Sequence, residues 1–181
     1  MSEGLTHIDE HGRAQMVDVT GKPPTRRTAE ARCVVRTGAD VAAALAAQPD
    51  GTDLIEMARF SGVLAAKQTS SLIPLCHPIP IERVTVEITV VPDGFGVAAT
   101  AEITQRTGVE MEALTACAGA ALTLAQGFVD VDPRVTIGEL TLWHKSGGRS
   151  GAWHRSAAGE MQGDGRGARC GGASGDVRGG R

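Results

Sequence analysis

A histidine between two prolines is the first group whose setting suits chemistry. In Leu72-Ile73-Pro74-Leu75-Cys76-His77-Pro78 the prolines hold the backbone extended and stiff. The imidazole of His77 is thereby presented to a ligand, where it can donate, accept or exchange a proton. The plainer alternative is a loop histidine in a tight turn between helix and strand. No second ligand stands at a helical or hairpin spacing from it, which argues against a metal site. A second feature is Thr107-Gly108-Val109-Glu110-Met111-Glu112. Thr107 and Glu110 match a capping box, and both acids favour the positive end of a helix dipole. One carboxylate is enough for a cap, so Glu112 is free for another role, such as gripping the edge of a purine. The third is His144-Lys145-Ser146-Gly147-Gly148-Arg149-Ser150-Gly151, whose glycines expose backbone N–H groups beside two cations, an arrangement that suits a phosphate. It lacks the Gly-Lys-Ser/Thr order of a Walker loop, and a flexible turn after the last strand explains it equally well. The fourth, Arg26-Arg27, follows a proline pair. It is either solvated charge on a mobile arm or a clamp for an anion.

The elements that must position these groups follow from periodicity. Ala31 to Arg36 reads as a first strand, and Asp40 to Ala47 and Asp53 to Lys67 as helices broken by Pro49-Asp50-Gly51. Val84, Val86, Ile88 and Val90 alternate with Thr85, Glu87 and Thr89, which makes Arg83 to Val91 a half-buried antiparallel strand. After a turn at Pro92-Asp93-Gly94, Val97, Ala99, Ala101 and Ile103 line one face of the returning strand. A helix is expected from Val109 to Phe128, with Met111, Leu114, Ala118, Leu122 and Ala125 along one face. The small residues Ala116 to Ala121 suggest close packing against another surface. Arg134 to Trp143 is the last strand, with Val135, Ile137 and Glu139 sharing a face. Strand, helices, strand, strand, helix, strand is the split pattern of an α+β ferredoxin-like sandwich, an antiparallel sheet with helices on one face. The other sheet face must find a partner or stay polar.

Composition bounds the rest. A chain of 181 residues is one ordinary domain. Residues 1–28 read as an irregular arm whose apolar patch Met16-Val17-Asp18-Val19 can dock, 29–155 as the folded body, and 156–181 as a Gly-rich tail too polar to offset its ordering entropy. With a net charge of −3 and only 3% aromatic residues, neither a phosphate-backbone patch nor a stacking platform is expected, and nucleic acid is excluded as a partner. No signal-peptide h-region and no apolar run of about 18 residues occurs, so a soluble cytoplasmic protein is expected, without membrane contact. The four cysteines form no C-x-x-C pair and are read as free thiols.

Taken together, Leu5 to Asp9, Met16 to Val19, Leu72 to Pro78, Thr107 to Ala116 and Lys145 to Gly151 resemble the cyclic pyranopterin monophosphate synthase family of molybdenum-cofactor assembly, in order and at near-family spacing. The resemblance implies a ferredoxin-like subunit assembled as a hexamer of dimers, with active sites at subunit interfaces. It implies a lyase that converts 3′,8-cyclo-7,8-dihydro-GTP into the cyclic monophosphate and releases pyrophosphate, with no metal or organic cofactor. It further implies that Leu75, Cys76, His77, Glu110, Met111 and Glu112 contact the substrate, that Arg27 clamps its triphosphate, and that Lys145 meets phosphate or assists proton transfer.

The family places an aspartate acid/base on the long helix and a lysine three residues later. Those positions here hold Gln126 and Val129, and a further family lysine falls on Gly51. An amide does not exchange protons near neutral pH, and loss of one positioned acid/base typically costs ~10²–10⁴ in rate. Asp130, one turn beyond Gln126, would share its face if the helix continues and is the candidate substitute, ahead of Asp132. Two alternatives stand beside the lyase. One is a catalytically impaired homologue that binds the nucleotide or pterin in a regulatory or partner-subunit role. The other is an oligomeric scaffold that binds neither.

Overall fold

Alternating small and charged residues set the layout around one long strand. The computed structural model describes residues 7–38, 40–41, 44–45, 51–155 and 161–163. In it, strand β1 (Thr25–Arg36) buries Ala29, Ala31, Cys33 and Val35 on one face and turns Arg26, Arg32 and Arg36 to the other. Helices α1 (Gly51–Lys67) and α2 (Thr69–Leu72) follow, then strands β2 (Arg83–Val91) and β3 (Gly94–Gln105). Helix α3 (Glu110–Phe128) leads to β4 (Thr136–Ser146), β5 (Trp153–Arg155) and β6 (Met161–Gly163). The strands form one sheet in the order β2-β3-β1-β4-β5-β6, antiparallel throughout. This is the expected α+β ferredoxin-like sandwich, with the helices on one face.

Strand β2 has the expected bounds, and β3 buries Val97, Ala99, Ala101 and Ile103 as expected. Strand β1 begins at Thr25 rather than Ala31, so Arg26 and Arg27 belong to the sheet and not to a mobile arm. Strand β4 runs to Ser146, and its register against β1 shifts between Arg32 and Val34, opposite Gly138 to Thr141. Glu139 takes φ 56° in that irregularity, which breaks the simple alternation expected from Val135 through Glu139. The helix expected over Asp40–Ala47 and the tail from Ser156 fall largely outside the described residues.

The buried face of α3 is not the expected one. Ala113, Ala116, Cys117, Ala120, Ala121, Leu124 and Phe128 face inward, while Leu122 is 62% exposed and Met111 lies at the surface. The helix is apolar almost all round, so two different stripes satisfy a 3.6-residue period. The sheet beneath it is floored largely with alanines, and it accepts the stripe of small residues that lets the backbones come close. The close packing expected from Ala116 to Ala121 is present. Gly62 of α1 lies against the Ala116 carbonyl, and a Cβ on Gly119 would stand 2.5 Å from the Ala65 Cβ. Phe95 and Phe128 close that end of the core edge to face, 5.4 Å between centroids. The opposite sheet face stays polar: Arg32 covers Trp143 at 4.3 Å, and Arg36 pairs with Glu139 at 2.9 Å. Among the described residues no helix is long and apolar enough to cross a membrane.

Candidate functional site

The N-terminal end of α3, the start of β1, the N-terminal arm and the loops before β2, before α3 and after β4 converge on one cleft of about 770 Å³. Helix α3 starts at Glu110 with Val109 as its N-cap and no side chain capping it. The capping box expected between Thr107 and Glu110 is therefore not formed. The Glu110 carboxylate folds back over Gly108, where any added side chain would collide with it. It accepts a hydrogen bond from Lys145 Nζ at 3.3 Å; Lys145 does not itself line the cleft and is tied to it through this carboxylate. Glu112, one residue beyond Met111, is only 3% exposed. Burial pushes its carboxyl up to about 7, and the charge of Glu110 adds to the effect.

The loop between α2 and β2 supplies Leu75, Cys76 and His77 to the opposite wall. A turn closed by the Cys76 N–H donating to the Ile73 carbonyl at 3.0 Å sets its path. Burial raises the Cys76 thiol above its ordinary value, and the charge of Glu112 raises it further. The two groups thus sense each other across the cleft.

Strand alternation separates the two arginines that the sequence puts side by side. Arg26 turns outward and pairs with Glu102 at 2.7 Å. Arg27 turns to the cleft, where its Nε donates to the Gln105 carbonyl at 3.1 Å and its Nη2 to the Arg106 carbonyl at 3.2 Å. Its guanidinium rests against Gly148, whose φ is +73°. Gly147, at φ +88°, passes just as closely over the Arg26 carbonyl. The glycines after Lys145 therefore seat an arginine, a role that the exposed N–H groups of an anion-binding loop did not suggest.

The far end of α3 is elsewhere. Gln126 lies 14 residues beyond Glu112, about 21 Å along the axis at 1.5 Å per residue. The helix stops at Phe128 with Val129 as its C-cap, so it does not continue to Asp130. Asp130 is exposed and does not line the cleft. Asp132 is buried and fully engaged. It accepts from the Gly38 N–H, from Arg134 N at 3.0 Å and from Arg134 Nε at 2.9 Å, which holds its carboxyl down at about 2. It joins two loops and does no chemistry at the cleft.

Residues 16–148 match the MoaC family. The chain belongs to that family. A cyclic pyranopterin monophosphate synthase 2 of Mycobacterium tuberculosis is 48% identical over 153 residues, 83% of this chain and 91% of that protein. Cyclic pyranopterin monophosphate synthases of Streptomyces coelicolor and Novosphingobium aromaticivorans are each 46% identical, over 84% and 82% of this chain and 90% and 96% of their own. The resemblance read from five short segments is thus a family membership spanning most of the chain. For a MoaC member, the residues missed by sequence reasoning are the remaining cleft-lining cations, Lys22 and Arg106, with His7 and Thr25. Each is a single residue with no informative spacing, and only the fold gathers them. The apolar patch of the arm does dock: Val17 and Val19 line the same cleft.

Proposed function

We propose that this chain is a lyase of molybdenum-cofactor biosynthesis that takes 3′,8-cyclo-7,8-dihydro-GTP to cyclic pyranopterin monophosphate and releases pyrophosphate. One observation carries the reading. A buried carboxyl and an imidazole, Glu112 and His77, share a single cleft with Arg27, Arg106, Arg149 and Lys22. The first pair suits the polar edge of a guanine-derived ring, and the cations suit a triphosphate. Leu75, Cys76 and Met111 supply the walls against which the ring lies. Glu110 holds Lys145 beside the phosphates until they arrive to compete for it. The reaction calls for no metal or organic cofactor, and the cytoplasm is where its nucleotide substrate would be met.

Assembly into a hexamer of dimers completes the reading. Met57, Phe60 and Leu64 form an exposed apolar stripe on α1, with Phe60 76% exposed, and such a stripe is better covered than left to water. A neighbouring subunit can bring to the cleft its α3 end with Gln126 and the Val129-Asp130 turn that follows, and by that route Asp130 can serve the reaction. The test is pyrophosphate release from the cyclised nucleotide by purified protein. Turnover that Asp130→Asn abolishes supports the lyase with Asp130 as its substitute acid/base.

Gln126, Val129 and Gly51 favour a second reading, a homologue that binds nucleotide or pterin without turnover. It predicts binding with no pyrophosphate release, and recovery of turnover in the combined variant Gln126→Asp, Val129→Lys, Gly51→Lys. A combined variant that binds substrate and remains inert excludes that account of the loss.

A further inference from the structure

Two carboxyl groups stand two residues apart at the start of α3, and their surroundings differ sharply. Glu110 is about one-third exposed and has Lys145 at 3.3 Å. Glu112 is almost wholly enclosed, and among the described residues no ion pair includes it. Lys22 from the arm, Arg106 from the loop before α3 and Arg149 from the loop after β4 line the same cleft, but none of them forms an ion pair with Glu112, and the closer groups give its negative charge little help. Glu110 on the same helix opposes it, Cys76 and His77 from the loop before β2 bring no fixed cation, and Lys145 from β4 is committed to Glu110. Arg27 is held by the carbonyls of Gln105 and Arg106. The one feature that favours ionisation is its own backbone N–H at the helix start.

Resting on the reading of this cleft as a guanine-type nucleotide site, we propose that Glu112 waits there as a neutral carboxyl and releases its proton when the ring binds. A ring edge with adjacent N–H and NH₂ donors makes two parallel hydrogen bonds to a carboxylate, each strengthened by the anion's charge. It supplies the stabilisation of the anion that the protein withholds. Ring recognition and deprotonation are then one event, and the proton leaves Glu112 Oε for solvent as the ring donors take its place. The linkage has a defined sign. Burial raises the carboxyl to about 7 in the empty cleft, so the proton is held below that pH and must be displaced there, whereas above it the carboxylate is already formed.

Calorimetric titration with GTP, in buffers of different ionisation enthalpy at pH 6 and pH 8, counts the protons. At pH 6 the protein should release about 0.9 proton per GTP more than Glu112→Gln does, falling to about 0.1 at pH 8. The same linkage should tighten GTP binding about tenfold from pH 6 to pH 8, beyond any change seen in Glu112→Gln. Inosine triphosphate lacks the exocyclic amino group and should release less than GTP from the unaltered protein, a comparison that needs no variant. GTP that binds with the same proton count in both proteins, or a count equal to that of inosine triphosphate, overturns the proposal while leaving the nucleotide site standing. Failure of both nucleotides to bind at either pH removes the nucleotide reading and the proposal with it.

Discussion

Replacing Gly148 by alanine separates two costs that usually arrive together. The residue adopts φ +73°, where an L side chain costs about 1–2 kcal/mol. For a chain of this length, at about 2–4 °C per kcal/mol, that strain lowers Tm by roughly 2–8 °C. The added Cβ would also collide with the Arg27 guanidinium, the far end of a flexible side chain that can step aside. In doing so it gives up its hydrogen bonds to the Gln105 and Arg106 carbonyls and its aim into the cleft. A charged hydrogen bond to a phosphate is worth about 1.5–3 kcal/mol, so nucleotide affinity should fall roughly 10- to 150-fold. Gly147→Ala carries similar strain, but its Cβ meets the Arg26 carbonyl, backbone that cannot step aside, and should cost more in Tm. The assay is calorimetric Tm together with nucleotide Kd for wild type, Gly148→Ala, Arg27→Ala and the double variant. If Gly148 acts through Arg27, it should cost nothing further in binding once Arg27 is gone. Fully additive losses in the double variant, or unchanged affinity in Gly148→Ala alone, would refute the reasoning.

Two predictions concern stability. Gly119→Val should force α1 and α3 apart where Gly119 faces Ala65 and cost about 1–3 kcal/mol, read as a lower urea midpoint at unchanged slope; an unaltered midpoint would mean the helices do not meet there. Asp132, held down at about 2 by Arg134 and the Gly38 N–H, contributes stability that is present above its ordinary value near 4 and is lost as pH falls towards 2. Asp132→Asn should therefore be less stable at pH 6 and lose less between pH 4 and pH 2 than the unaltered protein. Parallel pH profiles for the two proteins would show that the loop contact carries no such linkage.

How far the sequence discloses this molecule depends on how many constraints each segment satisfies. Strand β2 is legible because Val84, Val86 and Ile88 alternate with polar residues, and only a half-buried strand uses that pattern. The beginning of β1 is obscure because Thr25, Arg26, Arg27 and Thr28 carry no apolar alternation. They lie where one sheet face is charged and the other borders the cleft, so their pairing with Thr104 and Ile103 leaves no hydrophobic trace. The inward face of α3 is ambiguous for the opposite reason, being apolar nearly all round. At the site, His77, Met111 and Glu112 are readable because prolines and a helix start fix their local geometry. Lys22 and Arg106 are unreadable because nothing local distinguishes them from solvated charge, and the distance between them in the chain is closed only by folding.

Helix α3 also explains why recognition and turnover can part company in this chain. Its first turn carries Glu110 and Glu112, which depend on burial, on Gly108 and on Lys145. Its last turn carries Gln126 and leads to Val129, about 21 Å away along a helix rising 1.5 Å per residue, and touches none of those supports. Within one subunit, changes at the far end therefore leave the Glu112 wall, the Arg27 seat and the His77 loop as they are. A protein that lost the acid and the base of the last turn would keep its pocket, with a neutral carboxyl still waiting in it. For the same reason, restoring charges at Gln126 and Val129 leaves the subunit's own cleft as it is, and because a neighbour's α3 end is proposed to reach that cleft, nucleotide Kd measured beside turnover separates recovered chemistry from altered binding.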